Sequence, residues 1–212
     1  MCMSDSKNFK LICVTNRHLC EGDFYQRICA LLTAGADAVI LREKDLTETE
    51  YIHLSQKLFT FPQMQDISGV NRIILHHFPA AAGILNWPFI HLSLWQLEKN
   101  PEIRKQFSKI GVSIHSCEEA LRAEHLGADY LTAGHIFDTE CKHGLPGRGP
   151  AFLHKICASV SIPVFAIGGI SPDNIADIKN TGAFGACLMS SFMKCSNPQS
   201  YLSSLRSAVC KQ

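Results

Sequence analysis

One phrase occurs three times in this chain, and it limits the possible fold more than any other feature. Thr33-Ala34-Gly35-Ala36-Asp37 runs into the apolar stretch Ala38 to Leu41, and His125-Leu126-Gly127-Ala128-Asp129 runs into Tyr130 to Thr132. Asn180-Thr181-Gly182-Ala183-Phe184 leads in the same way into Ala186 to Met189. In each copy a helical pattern stops at a glycine, which takes the left-handed conformation without a Cβ clash, and a two-residue turn feeds a buried strand. A chain that repeats this connection alternates helices with strands. The runs Ala38 to Leu41 and Phe165 to Ile167 are apolar without alternation, as expected of parallel strands covered on both faces.

Further strands are expected at Lys10 to Thr15, Arg72 to Leu75, Pro88 to Leu92, Lys109 to Ser113 and Ile162 to Ile167. Helical patterns fall at Phe24 to Leu32, Glu48 to Phe59, Cys117 to Leu126, Ala151 to Ser159 and Pro172 to Asn180. Eight strands at roughly 25 residues per βα unit fit a single-domain α/β fold, the (β/α)8 TIM barrel. The competing open doubly wound sheet needs a glycine-rich turn after its first strand, and here that turn reads Asn16-Arg17-His18. With 212 residues, 46% of them apolar, and no Pro/Gly/Ser-rich linker, one core is expected: a barrel domain over 10–212 behind a polar N-terminal extension, 1–9.

Lys and Arg number 20 against 19 Asp and Glu, so no overall basic field invites nucleic acid or a membrane surface. Met1 to Lys10 lacks an apolar leader core, and no run of 18 apolar residues occurs, which points to a cytoplasmic protein. Of the ten cysteines, Cys13 and Cys187 fall in strand patterns and Cys29 and Cys157 in helical ones, and no pair is spaced C-x-x-C, as expected of reduced thiols most of which pack like small apolar groups. Phe59, Phe61 and Trp87 could serve the face of a homodimer.

In a barrel the reactive groups belong just after the strands, at the C-terminal mouth. Arg42-Glu43-Lys44-Asp45, His76-His77, Ser113-Ile114-His115-Ser116, Gly134-His135, Gly168-Gly169 and Ser190-Ser191 all sit there. The stretch from Ala128 to Gly149 leaves regular structure at Gly134 for about fifteen residues, and a loop of that length is functional or a solvated excursion. Gly168-Gly169-Ile170-Ser171-Pro172, with Ser171 as N-cap and Pro172 opening a helix, can cradle a phosphate together with Met189 and Ser190. A tight turn needing glycine for steric reasons is the plainer alternative. Arg42 and Lys44, two apart on a strand end, should face the axis while Glu43 turns outward, and Lys142 adds a third cation. Salt bridges to Glu43, Asp45 or Asp138 would be the competing use of those cations.

His135 is the expected acid/base group, because an imidazole at a strand terminus can take and give a proton near neutral pH. His143 is a second candidate on the same loop. Of the others, His53, His125 and His154 fall on helices, and His91 and His115 are expected to bond neighbouring loops. His76 and His77 should point to opposite faces of an extended strand, which argues against a metal site.

These residues give the chain a specific likeness. LREKDL at 41 to 46, GVSIHSCEEA at 111 to 120, GADYLTAGHIF at 127 to 137, Thr139 with Lys142, and IPVFAIGGISPDN at 162 to 174 resemble the thiamin phosphate synthase superfamily over about residues 10 to 195. The resemblance implies the (β/α)8 fold, a phosphorylated thiazole as small-molecule partner and a place in thiamin biosynthesis. Synthases in that superfamily carry aspartates for magnesium after strands three and four, where this chain has His77 and Gln96. They also usually carry proline at the position of His135. The phrase around His135 resembles instead the thiazole tautomerase, TenI-type, branch. That likeness implies a metal-free isomerase that needs no cofactor: His135 moves the proton, Gly169 and Ser190 hold phosphate, and Arg42, Lys44 and Lys142 meet its anionic groups. Ser113 either touches ligand or braces the mouth. The alternatives are the magnesium-dependent transferase, which joins a pyrimidine diphosphate to thiazole phosphate, and a sensor without chemistry.

Overall fold

A computed structural model describes residues 9–142 and 144–210. Eight parallel strands close in sequence order into a barrel: β1 (Lys10–Val14), β2 (Ala38–Leu41), β3 (Ile73–His76), β4 (Phe89–Ser93), β5 (Lys109–Ile114), β6 (Tyr130–Gly134), β7 (Val164–Ile167) and β8 (Gly185–Leu188). The helices around it are α1 (Phe24–Thr33), α2 (Glu48–Phe59), α3 (Pro62–Asp66), α4 (Pro79–Ile84), α5 (Leu94–Lys99), α6 (Cys117–His125), α7 (Gly149–Ser159), α8 (Ile175–Lys179), α9 (Ser190–Lys194) and α10 (Pro198–Cys210). The expected (β/α)8 barrel is the observed fold.

The unbroken apolar strands follow from two cores. Leu11, Cys13, Val39 and Leu41 point outward and pack with Ile28, Leu31 and Leu32 of α1, while Ile12, Val14, Ile40, Tyr130, Phe165 and Cys187 fill the interior. Alternate residues thus meet different apolar layers. The pairing keeps this in phase: Ile12 lies opposite Ala38 on β2 and Cys187 on β8. Phe9 at the edge of the expected extension is buried in the outer core, and residues 1–8 lie outside the described residues.

The repeated phrase builds the opposite end of the barrel. Gly35, Gly127 and Gly182 have φ of +105°, +85° and +84°. Asp37 N–H then bonds the Leu11 carbonyl at 2.8 Å while its carboxylate accepts from Leu11 N–H at 2.8 Å. Asp129 repeats this on Ile110, at 2.8 and 2.7 Å. In both cases the aspartate pins the start of the preceding strand. The third copy has Phe184, which keeps only the backbone bond, to Val164 at 2.8 Å.

Two expectations need correction. Phe59 and Trp87 stack on each other at 4.2 Å, and Phe61 stacks on Tyr25 at 5.6 Å, so all three are half-buried against the core and not exposed. Helix α8 begins at Ile175 behind Asn174, not at Pro172 behind Ser171. The Asn174 side chain accepts from Ser171 N–H at 2.9 Å and donates to the Gly169 carbonyl at 2.9 Å, which makes 169–174 a self-bonded turn. All nine described cysteines are free, and no helix among the described residues is long and apolar enough to cross a membrane.

Candidate active site

The mouth holds a cavity of about 660 Å³, and all eight expected site residues line it: Arg42, Lys44, Ser113, His135, Lys142, Gly169, Met189 and Ser190. It also takes in His76, which the sequence places at the mouth, and residues the sequence does not, among them His91, Thr132 and Trp95. A volume of this size suits a small organic ligand.

The cations are aimed by a buried carboxylate. Arg42 N–H donates to the Thr15 hydroxyl at 2.9 Å, and that hydroxyl donates to Glu43 at 2.7 Å. Arg17 donates to Glu43 from its backbone at 3.1 Å and its guanidinium at 3.2 Å, and also binds Asp45 at 2.7 Å. Glu43 turns away from the cavity as expected, yet it is only 2% exposed, because this network folds it under the first loop. With Arg17 neutralising Glu43 and Asp45, Arg42 and Lys44 form no salt bridge among the described residues. Burial lowers the pKa of Lys44, and the charges of Arg42 and of Lys142 on the long loop lower it further. Three positive groups thus converge with no paired carboxylate among the described residues, an arrangement that favours an anionic ligand.

His135 follows β6 on the long loop, which is tied down at both ends. Ile136 and Phe137 N–H donate to the carbonyls of Ile167 and Gly168, each at 3.0 Å, and Gly149 N–H returns to Ile136 at 2.9 Å. The His135 Nε2 lies 3.1 Å from the Leu145 carbonyl. A carbonyl only accepts, so Nε2 is the donor in this contact, and in the neutral ring the lone pair is on Nδ1. His115 braces this strand end through Nδ1, 3.2 Å from the Gly134 carbonyl. His143 lies outside the described residues.

The glycine pair is demanded by crowding. Gly168 has φ +104° and Gly169 +66°; a methyl on Gly168 would stand 2.4 Å from His135 Cβ, and one on Gly169 2.4 Å from the Asp138 carbonyl. The plainer steric reading therefore holds, and the pair still lines the cavity beside Met189 and Ser190. Ser190 Oγ meets Cys141 Sγ at 3.6 Å across the mouth.

Below this rim His91 does not bond loops as expected, but points inside the barrel. Its Nδ1 lies 3.0 Å from the Tyr130 hydroxyl and its Nε2 2.9 Å from that of Ser113. Burial, and then the Lys44 charge, pushes its pKa down to about 3. His76 is also held well below the ordinary histidine range, first by burial and then by neighbouring His91, Lys44, Arg42 and His77. In the unfolded chain both take protons near the ordinary value of about 6.5, so below it the unfolded state binds more protons and stability falls with pH. Urea unfolding between about pH 6.5 and 5 should lose stability at a slope approaching about 1.4 kcal/mol per pH unit for each of these histidines. A midpoint that does not move over that range would contradict the burial of neutral imidazoles.

The site does not fit a magnesium ion. His77 and Gln96 stand where the resemblance puts aspartates, and Gln96 is engaged: its Oε1 accepts from Ser93 N–H at 3.1 Å and its Nε2 donates to the His77 carbonyl at 2.7 Å. Glu119 is the one carboxylate lining the cavity among the described residues, and it accepts from His115 N–H at 2.5 Å. Among the described residues no three His, Cys, Asp or Glu side chains form a metal-holding group. His76 and His77 do not simply alternate, because His77 has φ +72° and their rings lie 6.0 Å apart.

Residues 11–192 match the family described as thiamine monophosphate synthase. The thiamine-phosphate synthase of Fusobacterium nucleatum is 34% identical over 194 residues, covering 89% of this chain and 91% of that protein. That of Syntrophomonas wolfei is 32% identical, covering 95% and 96%. Among solved structures, the thiamine phosphate pyrophosphorylase of Pyrococcus furiosus superposes with a TM-score of 0.77 at 28% identity, covering 96% of each chain. All three carry the name of the transferase, the alternative expected above, and not that of the tautomerase branch. By motif, barrel and relatives alike, this chain belongs to the thiamine monophosphate synthase family.

Proposed function

We propose that this chain acts in thiamin biosynthesis on a phosphorylated thiazole, and that it aromatises a carboxythiazole phosphate tautomer by moving a proton. The observation that carries this reading is His135, whose Nε2 is committed to the Leu145 carbonyl while the ring lines a cavity rimmed by Arg42, Lys44 and Lys142. The phosphate lies against Gly169, Met189 and Ser190, and the carboxylate between the cations. His135 Nδ1 takes the proton as a C–H bond breaks. The Leu145 carbonyl steadies the imidazolium, which exchanges its new proton with solvent and then protonates a second carbon as the double bonds shift into the ring. Atoms balance, and no redox partner is used.

The names of the relatives favour a second reading, the transferase that joins hydroxymethylpyrimidine diphosphate to thiazole phosphate and releases diphosphate. Against it, the donors at His77 and Gln96 do not suit magnesium, a hard ion that prefers carboxylates. Purified protein given each substrate set separately distinguishes the readings. Aromatisation that persists in excess chelator, with no diphosphate released from the pyrimidine substrate in the presence of magnesium, is the expected result. Magnesium-dependent diphosphate release would establish the transferase instead, and binding without either turnover would leave a sensor.

A further inference from the structure

Arg17 lies outside the cavity, in the short turn just past β1, and reaches the two acidic residues interleaved with the rim cations. Its guanidinium forks over both: Nη1 lies 3.2 Å from Glu43 and 2.7 Å from Asp45, and Nη2 donates to the other Asp45 oxygen. His18 adds a contact of 3.0 Å to that same oxygen. None of Arg17, Glu43 and Asp45 lines the cavity, whereas Arg42 and Lys44, which alternate with the carboxylates along 42–45, both do.

The two carboxylates are not equally held. Glu43 keeps partners without the guanidinium, since the Thr15 hydroxyl donates to it at 2.7 Å and the Arg17 backbone N–H at 3.1 Å. Asp45 is half-exposed, and its carboxylate is bound by the Arg17 and His18 side chains. Those contacts, Arg17 first, hold its carboxyl well below the usual carboxylate range, so it stays charged at neutral pH. Asp45 is also the chain neighbour of Lys44, with Cα atoms about 3.8 Å apart. Without the guanidinium, a released negative charge would stand beside two cations that have no salt bridge among the described residues. Opposite charges within about 4–6 Å attract strongly enough to change each other's state, so an internal carboxylate would compete with one brought by a ligand. The overall balance points the same way: one positive and two negative charges become two negative charges alone.

We propose that Arg17 is a positioning residue that sets the preference of the mouth for carboxylated ligands: by holding Glu43 and Asp45 off Arg42 and Lys44, it keeps both cations open to a ligand carboxylate. This rests on the reading above that puts a carboxylate between those cations. Arg17 itself touches no ligand and acts through its neighbours.

Calorimetric titration of two stable ligands, the aromatic carboxythiazole phosphate and thiazole phosphate without the carboxylate, into wild type and Arg17→Gln tests it. The variant should bind the carboxylated ligand about tenfold or more weakly and thiazole phosphate within about threefold of wild type. Adding Asp45→Asn to Arg17→Gln restores the wild-type charge balance and should recover most of the lost affinity, which a merely structural role for Arg17 would not allow. Asp45→Asn alone alters a half-exposed side chain, serves if Arg17→Gln does not fold, and should bind the carboxylated ligand at least as tightly as wild type. No loss in Arg17→Gln, an equal loss for both ligands, a folded double variant without recovery, or weaker binding by Asp45→Asn would each overturn the role of Arg17 alone. A wild type that binds the two ligands equally well would overturn this inference together with the reading it rests on.

Discussion

Replacing His135 with asparagine is expected to lower turnover by about a hundredfold or more while thiazole phosphate binding stays within about threefold of wild type. Asparagine keeps a short polar side chain but cannot carry a proton between two carbons. The proposed binding groups are elsewhere: Gly169 after β7, Ser190 at the start of α9, Arg42 and Lys44 just past the end of β2. The loop itself is held by main-chain bonds of Ile136, Phe137 and Gly149, so the substitution leaves its anchors in place. Steady-state rates with calorimetric binding separate the two effects. A variant that turns over at the wild-type rate would remove His135 from the mechanism.

The second large effect is expected from Gly168→Ala. Its methyl would stand 2.4 Å from His135 Cβ and 2.9 Å from its Cα, and its φ of +104° is one that side-chain-bearing residues rarely adopt. Strained backbone and overpacking each cost on the order of 1–3 kcal/mol. Relief comes by pushing His135 away, and a shift of about 1 Å at a reacting group costs about a hundredfold in rate. Gly182→Ala is the control: its φ is also positive, at +84°, but the nearest atom to its new methyl is 3.8 Å away and it lies at the other end of the barrel. Thermal unfolding and turnover should therefore show a large loss of both for Gly168→Ala, and a small loss of stability with full activity for Gly182→Ala. Equal behaviour of the two variants would sink the claim that Gly168 positions the histidine.

The barrel is legible in the sequence because its strands are apolar on two faces and three of its turns repeat. The inward aim of Arg42 and Lys44 is legible from the two-residue period. The fate of Glu43 is not, since it depends on Thr15 and Arg17 reaching over from the first strand's loop. Helices α4 and α5 are six residues long, too short to show a period, while α10 does carry a helical spacing in its buried Leu202, Leu205 and Val209. Ser171-Pro172 looks like a helix start because its chemistry suits one, yet Asn174 captures the Ser171 N–H and delays the helix. His91 is the largest omission: only the pairing of β3 with β4 sets it beside His76 inside the barrel. Counting alternate positions back from Ser93 does place His91 on the same face, and that is the signal a sequence offers.

Solvent exchange tests the central claim most directly. The isomerisation is run in D2O with excess chelator, and the product is read by NMR. The account predicts product carrying solvent deuterium at the carbon that receives the proton, formed at the full rate by wild type and at about a hundredth of it or less by His135→Asn. Equal rates for the two proteins, or a reaction that stops when divalent ions are removed, would contradict it.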